Sequence, residues 1–520
     1  MISSTQLNDN TVEMAGNSQN SNRIFKNTVV LYMRSLLVML IALYTSRVIL
    51  RTLGVEDFGL YNAVGGVVGL FSFFRTSMEK CTQRFLNVEL VKEDGCVTTV
   101  FRVSFTIHAL IAIVAFILLE TGGLWFLNRF IQIPTGRVFA ANCVYQSAVI
   151  GLVLTIMSIP FSASIIAHEK MTFFAVVSIV DAIFNLAIAI VIQFIPSDKL
   201  ILYCCLVLVV NFINFGLYAV YCTRKFNEVT MKFLWEPKIS KQMFSYTGWT
   251  LFGHTLIIGT NQGNTILVNM FHGVASNAAM AVASQVNRAV LNLTNSFQTA
   301  FNPQITKSYA AGDFQYLKSL VFATTKISYL LLLIISLPLM FNINEVLHLW
   351  LGEVPEYSGE FCILMLISGI LQATSSPLNF CVMATGNIKW FQIVTGLVFV
   401  SDLIVLYALF SLGFPPTTAM YVKCSIMCLV CFVRLYFTRR QISGIGYGSY
   451  LIKIIIPLCG VTVISVIGSM LFMLLVKNLT MHLISIIVIG VITALTAYYI
   501  GLNKSEKALL ENYINKIRRK

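Results

Sequence analysis

The chain has 520 residues, of which 57% are hydrophobic and only 11% charged, with a formal net charge of +14 and a mean hydropathy of +0.80. Soluble domains carry about 25% charged residues, so this composition leaves too few charges to clothe a soluble surface and excludes a soluble enzyme. Apolar runs of about twenty residues recur along the length, enough helix to cross a hydrocarbon core of about 30 Å, and they lack the alternation of membrane-barrel strands. The sequence therefore reads as an all-α polytopic membrane protein.

In chain order, residues 1–26 hold no apolar stretch, and the first 22 no Lys or Arg, which excludes the charged start and apolar middle of a signal peptide. They read as a disordered cytoplasmic tail. An N-terminal six-helix bundle is expected over 27–222, with spans near 27–50, 58–78, 101–121, 141–165, 171–195 and 200–222. A cytoplasmic linker, 223–243, leads to a second six-helix bundle over 244–437, with spans near 244–268, 278–302, 322–341, 361–384, 389–411 and 417–437. An additional helix pair occupies 438–502, near 449–475 and 480–501, which brings the expected total to about 14 transmembrane helices. The basic tail, 503–520, places Leu509, Leu510, Tyr513, Ile514 and Ile517 on one helical face among lysines and arginines, a pattern suited to an interfacial helix.

The positive charge reports orientation. With a cytoplasmic N-terminus, most of the 36 basic residues fall in inside loops and tails, against Arg51, Arg129, Arg137, Lys199 and Lys477 outside. The loop after the ninth span, on the outside, carries Glu345, Glu353, Glu356 and Glu360. Both termini are therefore expected inside, and no nucleic-acid partner is implied.

Two halves of the sequence match at a nearly constant offset. Gly54 and Val55 match Gly273 and Val274; Trp125 and Pro134 match Trp350 and Pro355; Pro160 and Ala167 match Pro377 and Ala384; Asp181 matches Asp402. Six spans separate equivalent points, an even number, so the repeats run parallel and the last helix pair falls outside them. Facing six-helix bundles of this kind suit an alternating-access carrier.

Charges within spans are costly and tend to face a cavity or a partner. Arg288 sits ten residues into the eighth span, beside Gln285, Asn287 and Asn292, too deep to reach a surface easily. Arg34, Arg75 and Lys423 either snorkel to head groups or join Arg288 in a cationic cavity for an anionic substrate. Asp181 and Asp402 either couple transport to protons or cations, or brace their bundles. His108 and His254 are proton-sensitive candidates, though lone bundle histidines more often pack. Cys424, Cys428 and Cys431 fall inside an apolar span and read as small core residues rather than cluster ligands. Gly65 and Gly69 form a GxxxG that permits close helix approach. No P-loop, zinc motif or G-x-S-x-G occurs, so no cofactor, metal site or catalytic residue is expected.

The run LYTSRVILRTLGVEDFGLYNAVGGVVGLFSFF, followed by CTQRFLNVEL, resembles the opening of bacterial polysaccharide transporters, the O-antigen and capsule flippases of the superfamily that also holds MATE-type multidrug exporters and the lipid II flippase. The resemblance covers this opening, the fourteen-span plan and the duplicated halves. It implies a transporter of the bacterial inner membrane rather than an enzyme, moving an undecaprenyl-pyrophosphate-linked oligosaccharide to the periplasmic leaflet for lipopolysaccharide or capsule biosynthesis, beside a polysaccharide polymerase and other assembly proteins. Such a substrate fits the basic residues, with Asn261, Gln262, Asn264, Asn292 and Asn295 as sugar contacts. Arg47 and Arg51 share a helix face at the outer end of the first span, near Glu56 and Asp57. They are expected either to form an outer gate by ion pairs or to anchor to lipid phosphate. One MATE branch carries an Asp in the first span, where this chain has Arg34 and no acid, which argues against a cationic drug. A cation-coupled exporter of the same superfamily is the alternative.

Overall fold

A computed structural model describes residues 4–503 apart from 70, 71, 131, 132, 134, 352 and 477, together with residue 507. Among the described residues there is no strand, and ten helices are long and apolar enough to cross a membrane, eleven if one bent pair counts as a span. The described residues of the expected second span and the whole of the expected seventh and eighth are also helical, and the seventh and eighth carry more amides, hydroxyls and charges than the others. The proposed interfacial helix of the C-terminal tail lies outside the described residues.

The chain divides into two compact units, Asn27–Leu251 and Phe252–Lys520 with Met1–Lys26. The first helix, α1 (Ser4–Gly69), begins well before the first expected span, so the backbone expected as a disordered tail is helical from Ser4. Only Gly16 among residues 4–26 is a strong local helix breaker. α1 is broken at Gly54, whose φ of 77° and ψ of 172° lie where glycine is essentially the only residue tolerated. Then follow α2 (Ser72–Glu89), α3 (Val97–Leu118), α4 (Leu124–Phe130), α5 (Val138–Ala167), α6 (Met171–Val191) and α7 (Lys199–Lys225). α5 is the spine of this unit, packed against α2, α3 and α7 and buried along most of its last three turns. Around it Val64, Met78, Val144, Tyr145, Val149 and Ile156 form an apolar core. A π-helical stretch, Leu119–Gly123, extends α3, and Tyr145 donates from its hydroxyl to the Leu119 carbonyl at 2.6 Å, an oxygen that also accepts from the Leu124 amide.

α8 (Pro237–Ala310) repeats the design of α1, broken at Gly273 with φ 79° and ψ −175°. The sequence match of Gly54 with Gly273 is thus a match of two turns in the same glycine-only conformation. The rest of the chain comprises α9 (Phe314–Phe341), α10 (Ile343–Leu351), α11 (Ser358–Ala373), α12 (Ser376–Thr385), α13 (Lys389–Ser411), α14 (Thr418–Gln441), α15 (Tyr447–Tyr450), α16 (Ile456–Met473) and α17 (Leu479–Thr496). α9 is the most enclosed, flanked by α11, α16 and α17, and a second core gathers Phe361, Met365, Leu406, Met420, Ile426 and Val430.

α11 and α12 form a helix pair bent by 43° that together is long and apolar enough to cross a membrane. A bend in lipid frees backbone groups that must find partners. Here Tyr450 donates its hydroxyl to the Thr374 carbonyl, and beside it the buried guanidinium of Arg434 is held by the Ser375 side chain, donating to Oγ at 3.0 Å. All twelve cysteines are free thiols; Cys424 and Cys431 contact Leu364 O and Thr374 Oγ1, as packing residues do. A side chain added at Gly65 would meet nothing within 4 Å, so that half of the GxxxG makes no close helix approach among the described residues.

Candidate functional site

In the Asn27–Leu251 unit, polar side chains from α1, α2, α5, α6 and α7 gather inside an otherwise apolar bundle. Asp181, midway along α6, accepts from Asn214 Nδ2 of α7 at 2.6 Å and from Asn185 Nδ2, one turn on, at 3.3 Å. Tyr218, one turn beyond Asn214, lies within electrostatic range of Arg75, Glu79, Arg34 and Asp181. Glu79 of α2 accepts from Ser162 Oγ of α5 at 3.0 Å. The guanidinium of Arg34 lies 5.0 Å from the Phe174 ring, a cation–π contact, and its Nε is buried without a hydrogen-bond partner among the described residues. Two expected candidates, Arg34 and Asp181, thus belong to one polar group, and Arg75 borders it while remaining exposed. Glu79, Asn185, Asn214 and Tyr218 are additional members. The one sequence signal for Glu79 is its spacing of four from Arg75, which puts both on one face of α2.

The other unit carries a different arrangement. Asp402 of α13 is buried and accepts from Asn264 Nδ2 of α8 at 2.8 Å, while its second oxygen, Oδ1, has no partner among the described residues. Lys423 of α14 interacts electrostatically with Asp402 and donates to Asn261 Oδ1 at 3.4 Å. Asn261, Asn264, Asp402 and Lys423 are therefore brought together, which makes Lys423 a counter-charge to Asp402 as well as a candidate cation for a ligand. Gln262 is exposed on α8.

Further along α8, beyond Gly273, Arg288 is exposed, as are Gln285, Asn292 and Asn295. Their spacing of three, four and three places all four on one helical face. Asn287 points elsewhere, to the surface of α11, where its Oδ1 stands 3.2 Å from the position a side chain on Gly369 would occupy. The candidates Arg288, Asn292 and Asn295 thus form one exposed polar stripe.

At the end of α1 the structure does not bring the expected gate residues together. Arg47, Arg51 and Glu56 are exposed, whereas Asp57 is buried and bonded to Arg137, which also bonds Asp198. Asp198 in turn caps α7, accepting from the amides of Leu200 and Ile201 at 3.1 and 3.3 Å. The reason is the break at Gly54, which puts Asp57 on the helix that follows rather than on the face of Arg47 and Arg51. His108 is buried, with Nδ1 2.7 Å from the Ser104 carbonyl, the environment of a packing histidine. Among the described residues no group of three or more His, Cys, Asp and Glu is placed to hold a metal ion.

A family model described as polysaccharide biosynthesis protein matches residues 24–309, more than half of the chain. The chain belongs to that family. A second model, MatE, matches residues 256–408 of this polysaccharide biosynthesis protein. Uncharacterized membrane protein EpsK of Bacillus subtilis (strain 168) is 19% identical over 339 residues, 65% of this chain and 66% of EpsK, so the chain spans just under two thirds of that curated relative's length. Solved structures share the fold. A crystal structure of a MATE mutant superposes with a TM-score of 0.69 at 10% identity, over 82% of this chain and 96% of that one. The Vibrio cholerae MATE transporter VcmN gives 0.66 at 15% identity over 82% and 98%. A MOP superfamily transporter from Pyrococcus furiosus, described as having a binding pocket of reverse polarity, gives 0.67 at 12% identity over 82% and 96%. This polysaccharide biosynthesis family member is accordingly a multi-pass membrane protein that shares the fold of the solved MATE structures.

Proposed function

We propose that the chain is a flippase that carries an undecaprenyl-pyrophosphate-linked oligosaccharide, an O-antigen or capsule repeat unit, from the cytoplasmic to the periplasmic leaflet of the bacterial inner membrane by alternating access. The observation that carries this reading is the stripe of Gln285, Arg288, Asn292 and Asn295 on the face of a helix long enough to span the bilayer. Such a face is costly against lipid tails and suits a wet cavity. A guanidinium there replaces water around a pyrophosphate, and amides on the same face suit sugar hydroxyls. Arg34, with a buried Nε that no described residue satisfies, supplies a second cation in the first span, where a drug exporter would benefit from an acid. Both termini lie in the cytoplasm in this reading, and the glycan polymerase receives the product.

One observation favours a second reading. Asp181 and Asp402 are held by amides within their bundles, an arrangement that also suits proton or cation coupling in a small-molecule exporter. The two readings separate in the native host. Deleting the gene should abolish the surface glycan and accumulate its lipid-linked precursor on the cytoplasmic face. Wild type should restore the glycan, and Arg288→Ala at matched expression should restore about 100-fold less, as loss of a roughly 3 kcal/mol charge-assisted contact implies. Unchanged surface glycan in the deletion strain, in the absence of a second flippase, would shift the reading to an exporter.

A further inference from the structure

α13 and α14 leave an open groove between them at the end of the bundle where the basic loops lie. Its volume is about 660 Å³, within the range of small-molecule pockets, and Trp390, Val394, Phe432, Tyr436, Tyr447 and Arg440 line it. The walls are apolar, the rim is aromatic, and the one charged lining residue is a cation. Arg440 is exposed and has no ion-pair partner among the described residues. A second guanidinium, that of Arg439, is held at the rim over the Tyr447 ring at 4.7 Å.

The groove has a counterpart in the other repeat. Between α6 and α7 a cleft of about 540 Å³ is lined by Phe173 and by residues of α7 that include Arg224 and Lys225. The two linings correspond on their α7 and α14 walls: Ile213, Gly216, Leu217 and Val220 stand 220 residues before Val433, Tyr436, Phe437 and Arg440. Val220 replaces the arginine, but Arg224 and Lys225 restore the positive charge one helical turn further toward the same end. The feature has therefore survived in both halves although the side chains that form it have changed.

We infer that each groove is a binding site for one anionic phospholipid of the cytoplasmic leaflet, with the acyl chain between the paired helices and the phosphate at Arg440 in one half and at Arg224 and Lys225 in the other. Charge complementarity selects this occupant. Among the described residues no carboxylate lines either groove, aromatic residues at the rim suit the head-group level, and the orientation of the proposed function, on which this inference rests, puts both at the leaflet that carries anionic lipid. A single transported substrate needs no matched pair of sites, whereas the leaflet is common to both halves.

The test is native mass spectrometry of the full chain in detergent, titrated with phosphatidylglycerol or with phosphatidylcholine of the same acyl chains. Two phosphatidylglycerol molecules should bind more tightly than phosphatidylcholine does. Arg440→Gln and Arg224→Gln should each weaken one of the two by about fivefold, the equivalent of about 1 kcal/mol for one basic residue near an anionic head group. Arg440→Lys should retain the preference, and Trp390→Ala should weaken both lipids alike. Lys238→Gln, at an exposed basic residue outside both grooves, should change nothing. Thermal unfolding of each variant verifies that it is folded. Equal affinity for the two lipids, or an unaltered second binding step in Arg440→Gln, would overturn the inference. So would an equal loss in Lys238→Gln, which would indicate diffuse surface charge, or displacement of phosphatidylglycerol from both sites by sub-stoichiometric undecaprenyl pyrophosphate, which would assign them to the substrate lipid.

Discussion

Asp181 and Asp402 stand 221 residues apart at matching positions of the two repeats, yet they are neutralised by different chemistry. Asp181 is half-buried and has its charge spread over two neutral amides, both reached from its own or the adjacent helix. Asp402 is buried, receives one amide from α8 of the same unit, and has the ammonium of Lys423 as a counter-charge. Duplication preserved the carboxylate and not its surroundings. An acid paired with amides can lose its charge without stranding a neighbour, whereas one matched to a lysine cannot. The two halves are thereby equipped for different electrostatic roles despite a common backbone plan.

Removing the carboxyl charge on each side would test that contrast most directly. Asp402→Asn leaves Lys423 without its counter-charge and should lower the unfolding free energy by about 3 kcal/mol; Lys423→Met in the same molecule should recover most of the loss, and failure to recover any would break the proposed pairing. Thermal unfolding in detergent reads both. The glycine turns should show the opposite behaviour, because their repeat environments are alike. At Gly54 and Gly273 an added side chain would meet no neighbour within 4 Å, so alanine there tests backbone strain alone. Each substitution should cost about 2 kcal/mol and the two should agree closely; a large inequality would show that the halves differ in backbone as well as in charge. The smallest effect is expected for Asp181→Asn, about 1 kcal/mol, since amides can bond an amide nearly as well as a carboxylate. A loss as large as that of Asp402→Asn would erase the distinction drawn here.

The fold was largely legible because its determinants are local. A run of apolar residues reports its own span, and the alignment of Gly54 with Gly273 located two breaks that share one backbone conformation. The seventh and eighth spans are less apolar than the rest for the same reason that they attracted attention: amides, and Arg288 in the eighth, stand on their helix faces. Pairings across the chain were less accessible. Asp57 and Arg137 are 80 residues apart and Arg137 and Asp198 are 61 apart, and no periodicity tells one connection which other connection it meets. Nearness along the chain favoured Arg47 and Arg51 as partners for Asp57, but the turn at Gly54 separates their faces. Glu79 lies just past the expected end of the second span, where a charge ordinarily reads as surface, and only packing against α5 shows that it turns inward. The stripe on α8 was the exception among the candidates, because Arg288, Asn292 and Asn295 share one helix and their spacing alone gives them one face.

Gly54 and Gly273 each join two long helices through a single residue. A joint that short stores no slack. The length of the joint is the dimension that both repeats share, so an added residue there would change the direction in which the second helix leaves the first even if every contact elsewhere were kept.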